Sequence, residues 1–159
     1  MKKNILSFAI LAVICIVASS CSSDNSEPIS IEGTWSTLER TLDTNYPELD
    51  KEINRDFKED SKIYNIERTF KDGKATTIAK RIEDGYEVRR KTESFTIAGD
   101  TLIIDLTTKA AFMLSRTRLT TTRKITRADL IPILSEIGIY DPNLLPSDIE
   151  GELRMMEVR

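Results

Sequence analysis

Three arginines occupy positions from which they could hold an anionic group. Each shares its predicted strand phase with apolar residues, and a guanidinium that faces the interior of a fold needs a partner. One such partner is the carboxylate of a bound ligand, which arginine holds through two parallel hydrogen bonds. The alternatives are acids on neighbouring strands, a place at the mouth of the fold, or a bulge that turns the side chain outward. These candidate ligand-binding residues are Arg68, Arg90 and Arg116.

Catalytic and metal-binding residue types are scarce. The sequence contains no histidine and only two cysteines, Cys15 and Cys21. Ser-His-Asp catalysis, Cys-His catalysis and imidazole metal sites are therefore excluded. Acids are numerous, but no pair is singled out for general acid–base work. We predict no catalytic residue, no metal site, no cofactor and no enzymatic activity. Four acids are instead expected to coat the solvent face of the first predicted helix: Glu48, Asp50, Glu52 and Asp56.

The N-terminal segment has the pattern of an export signal. Lys2 and Lys3 precede an almost wholly apolar run over residues 5–17. This run is shorter than the roughly 20 residues that a membrane-spanning helix needs. Residues 18–21 then read Ala-Ser-Ser-Cys. The arrangement resembles the lipobox of bacterial lipoproteins, in which the cysteine receives acyl chains such as palmitate and becomes the first residue of the mature protein. Ala18 stands where that family usually has leucine.

This resemblance implies a division of the chain into three parts: a removed signal peptide over 1–20, lipidated Cys21 with a flexible tether over 21–30, and a folded domain over 31–159. Two or more acyl chains hold a protein stably at a membrane. The expected location is therefore the cell envelope, as an outer-membrane lipoprotein that faces the periplasm or the surface. The alternative is an ordinary secretory signal cut near Ser20, which would leave Cys21 as a free thiol.

The charge is unevenly distributed along a chain whose formal net charge is −3. Bases concentrate between Lys74 and Arg127, and acids predominate on both sides of that segment. A basic segment can indicate nucleic-acid binding. The compartment expected for a lipoprotein argues against that partner, so we predict no nucleic acid and interpret the pattern as charged strand faces beside acidic helices.

Hydrophobic periodicity predicts a mainly β domain with two helices. Leu49, Ile53 and Phe57 recur every four residues and indicate one face of a helix that begins near Pro47. Asp-Gly pairs between alternating runs favour tight hairpins. In the fourth strand the apolar phase changes between Val88 and Phe95, which indicates a bulge or bend. The predicted strands cover 34–42, 64–70, 74–82, 86–97, 101–107, 111–124 and 151–158.

The second helix, between Ile125 and Gly138, has two possible starts. Thr126 and Asp129 have capping-box spacing, but that start places Pro132 inside the helix. With Asp129 as the N-cap, Pro132 falls in the first turn, where proline is tolerated. The second start is our prediction.

The head of the first strand, Gly33-Thr34-Trp35, followed by a series of hairpins, resembles the lipocalin-like (calycin) barrels. The resemblance implies an antiparallel up-and-down barrel of about seven to eight strands, with one helix after the first strand and one before the last. It also implies that Trp35 lies at the closed end under an arginine of the last strand, Arg154 or, as the alternative, Arg159. A helix between the first two strands is more similar to intracellular fatty-acid-binding barrels. The alternative fold is an open sheet or sandwich with Trp35 in its core.

Two functions follow from these expectations. The first is a membrane-tethered module whose barrel binds a small apolar or amphipathic molecule, which is an argument from family resemblance. The second is a non-enzymatic structural or protein-interaction module of an envelope complex, whose interior is filled by side chains.

Overall fold

The computed structural model describes residues 29–137 and 141–159. The predicted signal peptide, Cys21 and most of the tether lie outside these described residues. In the described part the elements run β1 (Gly33–Thr44), α1 (Pro47–Ile63), β2 (Tyr64–Lys71), β3 (Lys74–Arg81), β4 (Glu87–Ala98), β5 (Thr101–Ile104), β6 (Thr108–Leu114), β7 (Arg118–Thr126), α2 (Arg127–Ile137), a short 3₁₀ turn (Pro142–Leu144) and β8 (Glu150–Val158).

The eight strands form a closed antiparallel barrel in sequence order. β8 closes it, because its residues pair with β1 on one side and with β7 on the other. The predicted up-and-down barrel, with a helix after the first strand and another before the last, is confirmed.

The predicted run over residues 111–124 is in fact two strands. They are separated by a turn in which the Ser115 amide donates to the Arg118 carbonyl at 2.8 Å and the Arg118 amide donates to Ser115 Oγ at 3.0 Å. This turn contains neither glycine nor proline. The usual turn signal is therefore missing from the sequence, and the strand count was underestimated for that reason.

Two irregularities set which side chains face the barrel interior. On β4, Glu87 pairs with Lys80 and Arg89 pairs with Ala79, so Val88 is an extra residue opposite β3. This bulge confirms the predicted change of phase. On β1, the register against β8 shifts between Thr37 and Glu39. Since side chains alternate along a strand, each extra residue exchanges the inner and outer faces from that point on.

The predicted start of α2 is wrong. The helix begins at Arg127, and both the amide and the hydroxyl of Thr126 donate to the Asp129 carboxylate at 2.8 Å. This contact satisfies the Thr126 amide as in one half of a capping box, and Pro132 lies inside the helix.

Helix α1 is fastened to β1 by polar side chains as well as by its apolar face. Asp50 accepts hydrogen bonds from the amide and hydroxyl of Thr44 at 2.8 and 2.7 Å. Asn54 accepts from the Leu42 amide and donates to the Leu42 carbonyl. The expectation that Asp50 coats the solvent face is therefore wrong, since this residue is buried.

Two apolar cores lie at different positions in the barrel. One surrounds Trp35 and includes Ile31, Phe70, Ala75, Leu102 and Leu119. The other joins the helices to the strands and includes Leu42, Ile53, Phe57, Ile125, Leu130, Leu134, Leu145, Ile149 and Leu153. We call them the Trp35 core and the helix core.

Candidate functional site

A cavity of about 430 Å³ lies inside the barrel. Phe57 and Leu153 of the helix core form part of its wall, as do Leu102 of the Trp35 core and Ile104, which packs against that core. The wall thus combines aliphatic and aromatic surface with the polar residues described below. This volume lies within the 300–1,000 Å³ typical of small-molecule sites.

Cations outnumber carboxylates in the wall of this cavity. The strand registers explain why several of them face inward, because Arg68 pairs with Thr77 and Thr77 pairs with Lys91 across three neighbouring strands. Among residues 29–137 and 141–159, only two carboxylates line the same cavity, those of Glu93 and Asp129. The lining cations are Arg40, Arg68, Arg89, Lys91 and Arg123.

Arg40 and Lys91 are held closely by acids within the described part of the chain. Arg40 forms an ion pair with Asp60, and its guanidinium lies 4.7 Å from the centre of the Phe57 ring. Lys91 Nζ lies 2.7 Å from a Glu93 carboxylate oxygen. These pairs are internal to the protein and leave less charge for a ligand.

Arg123 is different, because no hydrogen bond or ion pair reaches its guanidinium from residues 29–137 and 141–159. Desolvation lowers its pKa and the Arg68 charge acts in the same direction, whereas the charges of Asp129 and Glu93 oppose them without touching the guanidinium. The pKa reference of arginine is so high that the group remains charged. A half-buried guanidinium without a contacting partner is costly, so Arg123 is a cation that a bound anion would stabilise.

Glu157 is the least expected group of the interior. It lies on β8 with no exposed surface, and its carboxylate is 3.6 Å from a terminal nitrogen of Arg68. Neither of its oxygens has a hydrogen bond within the described chain, and the buried Thr37 hydroxyl opposite it also lacks one. Burial raises the pKa of the Glu157 carboxyl, and the Arg68 charge offsets this only in part.

The sequence reasoning missed Glu157, although a usable signal existed. Leu153, Met155 and Glu157 follow one another at a spacing of two on the last strand. Since Leu153 is a core residue, alternation alone places Glu157 on the inner face.

The three arginines predicted to bind a ligand are not brought together. Arg68 lines the cavity, donates a weak hydrogen bond to Met155 Sδ at 3.5 Å and lies beside Glu157. Arg90 is exposed on the outer face and pairs with Glu87 at 2.6 Å. Arg116 is exposed in the turn between β6 and β7. The inward phase is therefore confirmed for Arg68 and wrong for Arg90 and Arg116.

The physical reasons for the two misplacements differ. On β4 the apolar residues that set the predicted phase, Tyr86 and Val88, are themselves exposed at 62% and 42%. The bulge at Val88 then turns Arg89 and Lys91 inward instead of Arg90. Arg116 lies beyond the end of β6 at Leu114, so strand alternation no longer applies to it.

The predicted pairing of Trp35 with Arg154 is also wrong. Arg159, the alternative, covers the indole, with its guanidinium carbon 4.4 Å from the ring centre. Arg154 has the opposite strand parity to Leu153 and is exposed. Arg159 also donates to the carbonyls of Arg116 at 2.7 Å and Glu32 at 3.2 Å. Trp35 Nε1 donates to the Ile31 carbonyl at 2.7 Å, so this end of the barrel is closed.

A second cavity of about 400 Å³ adjoins the first. It lies where β1 and β2 separate, since their pairing covers only Gly33 to Ser36 on β1. The two cavities share Arg40, Phe57 and Ile66 in their walls. The Arg40–Asp60 pair thus stands between the interior and the surface beneath the end of α1.

Neither a metal cluster nor a membrane-spanning helix is found in the described residues. No group of three or more Asp, Glu, Cys or His side chains there is arranged to hold a metal ion. No helix among them is long and apolar enough to cross a bilayer.

The fold and the cavity define the protein as an eight-stranded up-and-down barrel with a cationic interior. Searches against protein-family models, curated proteins and solved structures gave no match.

Proposed function

We propose that this protein is a cell-envelope lipoprotein, anchored through acyl chains on Cys21, whose barrel binds a small amphipathic molecule. The observation on which the binding role rests is the interior cavity of about 430 Å³, whose wall combines Leu102, Ile104 and Phe57 with several cations. In ligand sites apolar burial supplies affinity and polar groups orient the ligand, and this wall offers both kinds of surface.

The anchor is supported by the leader residues and by the composition of the segment after Cys21. The proposed lipocalin-like character is supported by two features of the barrel: its up-and-down strand order and the arginine that covers the tryptophan of the first strand. As a lipoprotein of the outer membrane, the protein would work within reach of lipids and their breakdown products.

The anchor is tested by replacing its thiol. A Cys21→Ser variant cannot be acylated, so it should leave the membrane fraction while the parent chain remains there. If the variant still sediments with membranes, the proposed anchor is wrong.

Ligand binding is tested by native mass spectrometry of the parent chain and of a variant in which a larger side chain fills the cavity. The parent chain purified from its host should carry a co-purified small molecule in native mass spectrometry. Ala110 lines the cavity, whereas its neighbour Ala111 is exposed on the outer face. Ala110→Phe should therefore lose the ligand and Ala111→Phe should keep it. A clean mass for the parent chain would contradict the binding role.

A second candidate, the protein-interaction module, is favoured by exposed apolar side chains at one junction. Ile63 ends α1 and its carbonyl accepts from the Ile82 amide at 2.8 Å, and both side chains are more than half exposed. Tyr86 on the same hairpin is 62% exposed. A protein captured by the parent chain but not by a variant with Ile82→Asp would favour this second role.

A further inference from the structure

We infer that the ligand carries an anionic group, that this group binds between Arg68 and Arg123 inside the cavity, and that Glu157 takes up a proton when it binds. The inference rests on the proposed binding role and adds the chemical class of the ligand and a proton linkage.

The position of the anion follows from two like charges that share one cavity. Arg68 on β2 and Arg123 on β7 both line it, and their charges influence each other. Among the described residues Arg123 has no counter-ion in contact, and Arg68 has only the distant carboxylate of Glu157. Two guanidiniums that line one cavity repel each other, and an anion that accepts hydrogen bonds from both removes that repulsion.

While the cavity is empty, the Glu157 carboxylate supplies the negative charge next to Arg68 that a bound anion would otherwise supply. Its carboxylate reaches Arg68 at 3.6 Å, which is longer than a hydrogen bond, and it has no other polar contact in the described chain. A permanent structural ion pair would be expected to show close, bidentate geometry with its remaining lone pairs satisfied. The Glu157 contact has neither property.

The groups that face Glu157 allow only one charge to control it. Thr37 on β1 and Leu119 on β7 are its direct strand neighbours, and neither titrates. Within the part of the chain that the structure describes, Arg68 on β2 is the only charged group that acts on it appreciably. A ligand anion at Arg68 neutralises that charge and adds a negative one nearby. The ionised form of Glu157 then loses its support, and the carboxylate takes one proton from solvent to become the neutral acid.

The linkage has a definite sign. Proton uptake on binding means that affinity for an anion falls as pH rises through the range between the Glu157 pKa in the empty barrel and its higher pKa in the occupied barrel. One linked proton limits this fall to about tenfold per pH unit. A neutral ligand of the same chain length should show no such dependence.

The experiment uses the full chain with Cys21→Ser, so that no acyl chain of its own competes for the cavity. The probes are decanesulfonate, which remains anionic at every pH used, and decanol, its neutral counterpart. Calorimetric titrations run from about pH 5 to about pH 9, the range that brackets ordinary and strongly raised glutamate pKa values. Two buffers of different ionisation enthalpy at each pH report the number of protons taken up.

We expect decanesulfonate to bind with uptake of up to one proton and with the affinity loss described above. Glu157→Gln should bind it with no pH dependence and no proton uptake. Arg123→Met should weaken decanesulfonate binding by about tenfold or more and leave decanol binding unchanged. Arg90→Met is the matched control, because Arg90 lies on the outer face, and it should change neither probe.

Each contrary result separates the two proposals. If both probes bind equally and Arg123→Met alters neither, the anion site is wrong although the cavity still binds ligands. If decanesulfonate binds with no proton uptake at any pH, the role of Glu157 is wrong. If neither probe binds, the binding role itself fails. If Glu157→Gln does not fold, the number of protons taken up can still be measured from the two-buffer comparison on the chain that keeps Glu157.

Discussion

The Trp35 end of the barrel and the cavity use the same residue type in opposite ways. At the Trp35 end, Arg159 stacks on the indole and donates to two backbone carbonyls, and the indole nitrogen donates to a third. In the cavity, Arg123 has no such contact among the described residues, and the buried Glu157 has no hydrogen bond there. Satisfied groups hold a fold together, whereas buried unsatisfied ones need an explanation. The contrast indicates that the first region stabilises the fold, and it supports the binding role proposed for the second.

The largest effect is expected from the centre of the Trp35 core. Trp35 has no exposed surface, so Trp35→Ala removes a large buried ring and leaves a cavity. We expect it to lower the free energy of unfolding by about 3–5 kcal/mol, measured by urea denaturation. Met113→Ala, at a side chain 71% exposed, should stay within about 0.5 kcal/mol. Similar losses for both variants would contradict the assignment of stability to this region.

A smaller effect is expected from the arginine that covers the indole. Arg159→Ala removes a cation–π contact and two hydrogen bonds to carbonyls, and should lower stability by about 1–2 kcal/mol. Arg154→Ala is the matched control on the outer face of β8, the strand that Arg159 follows directly, and should change stability by less than about 0.5 kcal/mol. The comparison of the two melting curves decides which arginine closes the barrel, and a larger loss for Arg154→Ala would reverse our assignment.

The smallest effect, taken per unit of pH, concerns Glu157. Burial raises its pKa in the folded protein above that in the unfolded chain. Between these two pKa values the folded state binds more protons, so this residue's stabilising contribution is complete below the unfolded pKa and is lost as pH rises. The slope is at most about 1.4 kcal/mol per pH unit. In thermal melts, the melting temperature of Glu157→Gln should therefore rise relative to that of the parent chain as pH increases. If the difference between the two melting temperatures stays constant with pH, the raised pKa is refuted.

Much of the barrel could be predicted from local patterns. The Asp-Gly turns after β2 and β3 marked hairpins, because the glycines at 73 and 85 adopt positive φ there. The turns after β5 and β6 have no such signal. Asp105 and Leu106 take positive φ without glycine, so the predicted strand ran on to residue 107 instead of ending at Ile104.

The candidate site was harder to predict than the fold. The inward direction of Arg68 was predicted correctly because β2 is regular between Tyr64 and Lys71, and alternation holds throughout. Arg90 failed because one extra residue at Val88 inverts the faces of β4. The pairing of Asp60 with Arg40 could not be predicted from sequence. Asp60 lies near the end of α1, and Arg40 follows the bulge in β1, so no local spacing relates the two residues.

The sequence by itself determined the order of the strands, the places of the two helices and the first-strand tryptophan, because these depend on residue spacing over short segments. Tertiary structure decided which charges face one another. Closure of the sheet brings β2, β7 and β8 around one space, and a single bulge changes which side of a strand contributes to it. Arg68, Arg123 and Glu157 meet inside the barrel for that reason.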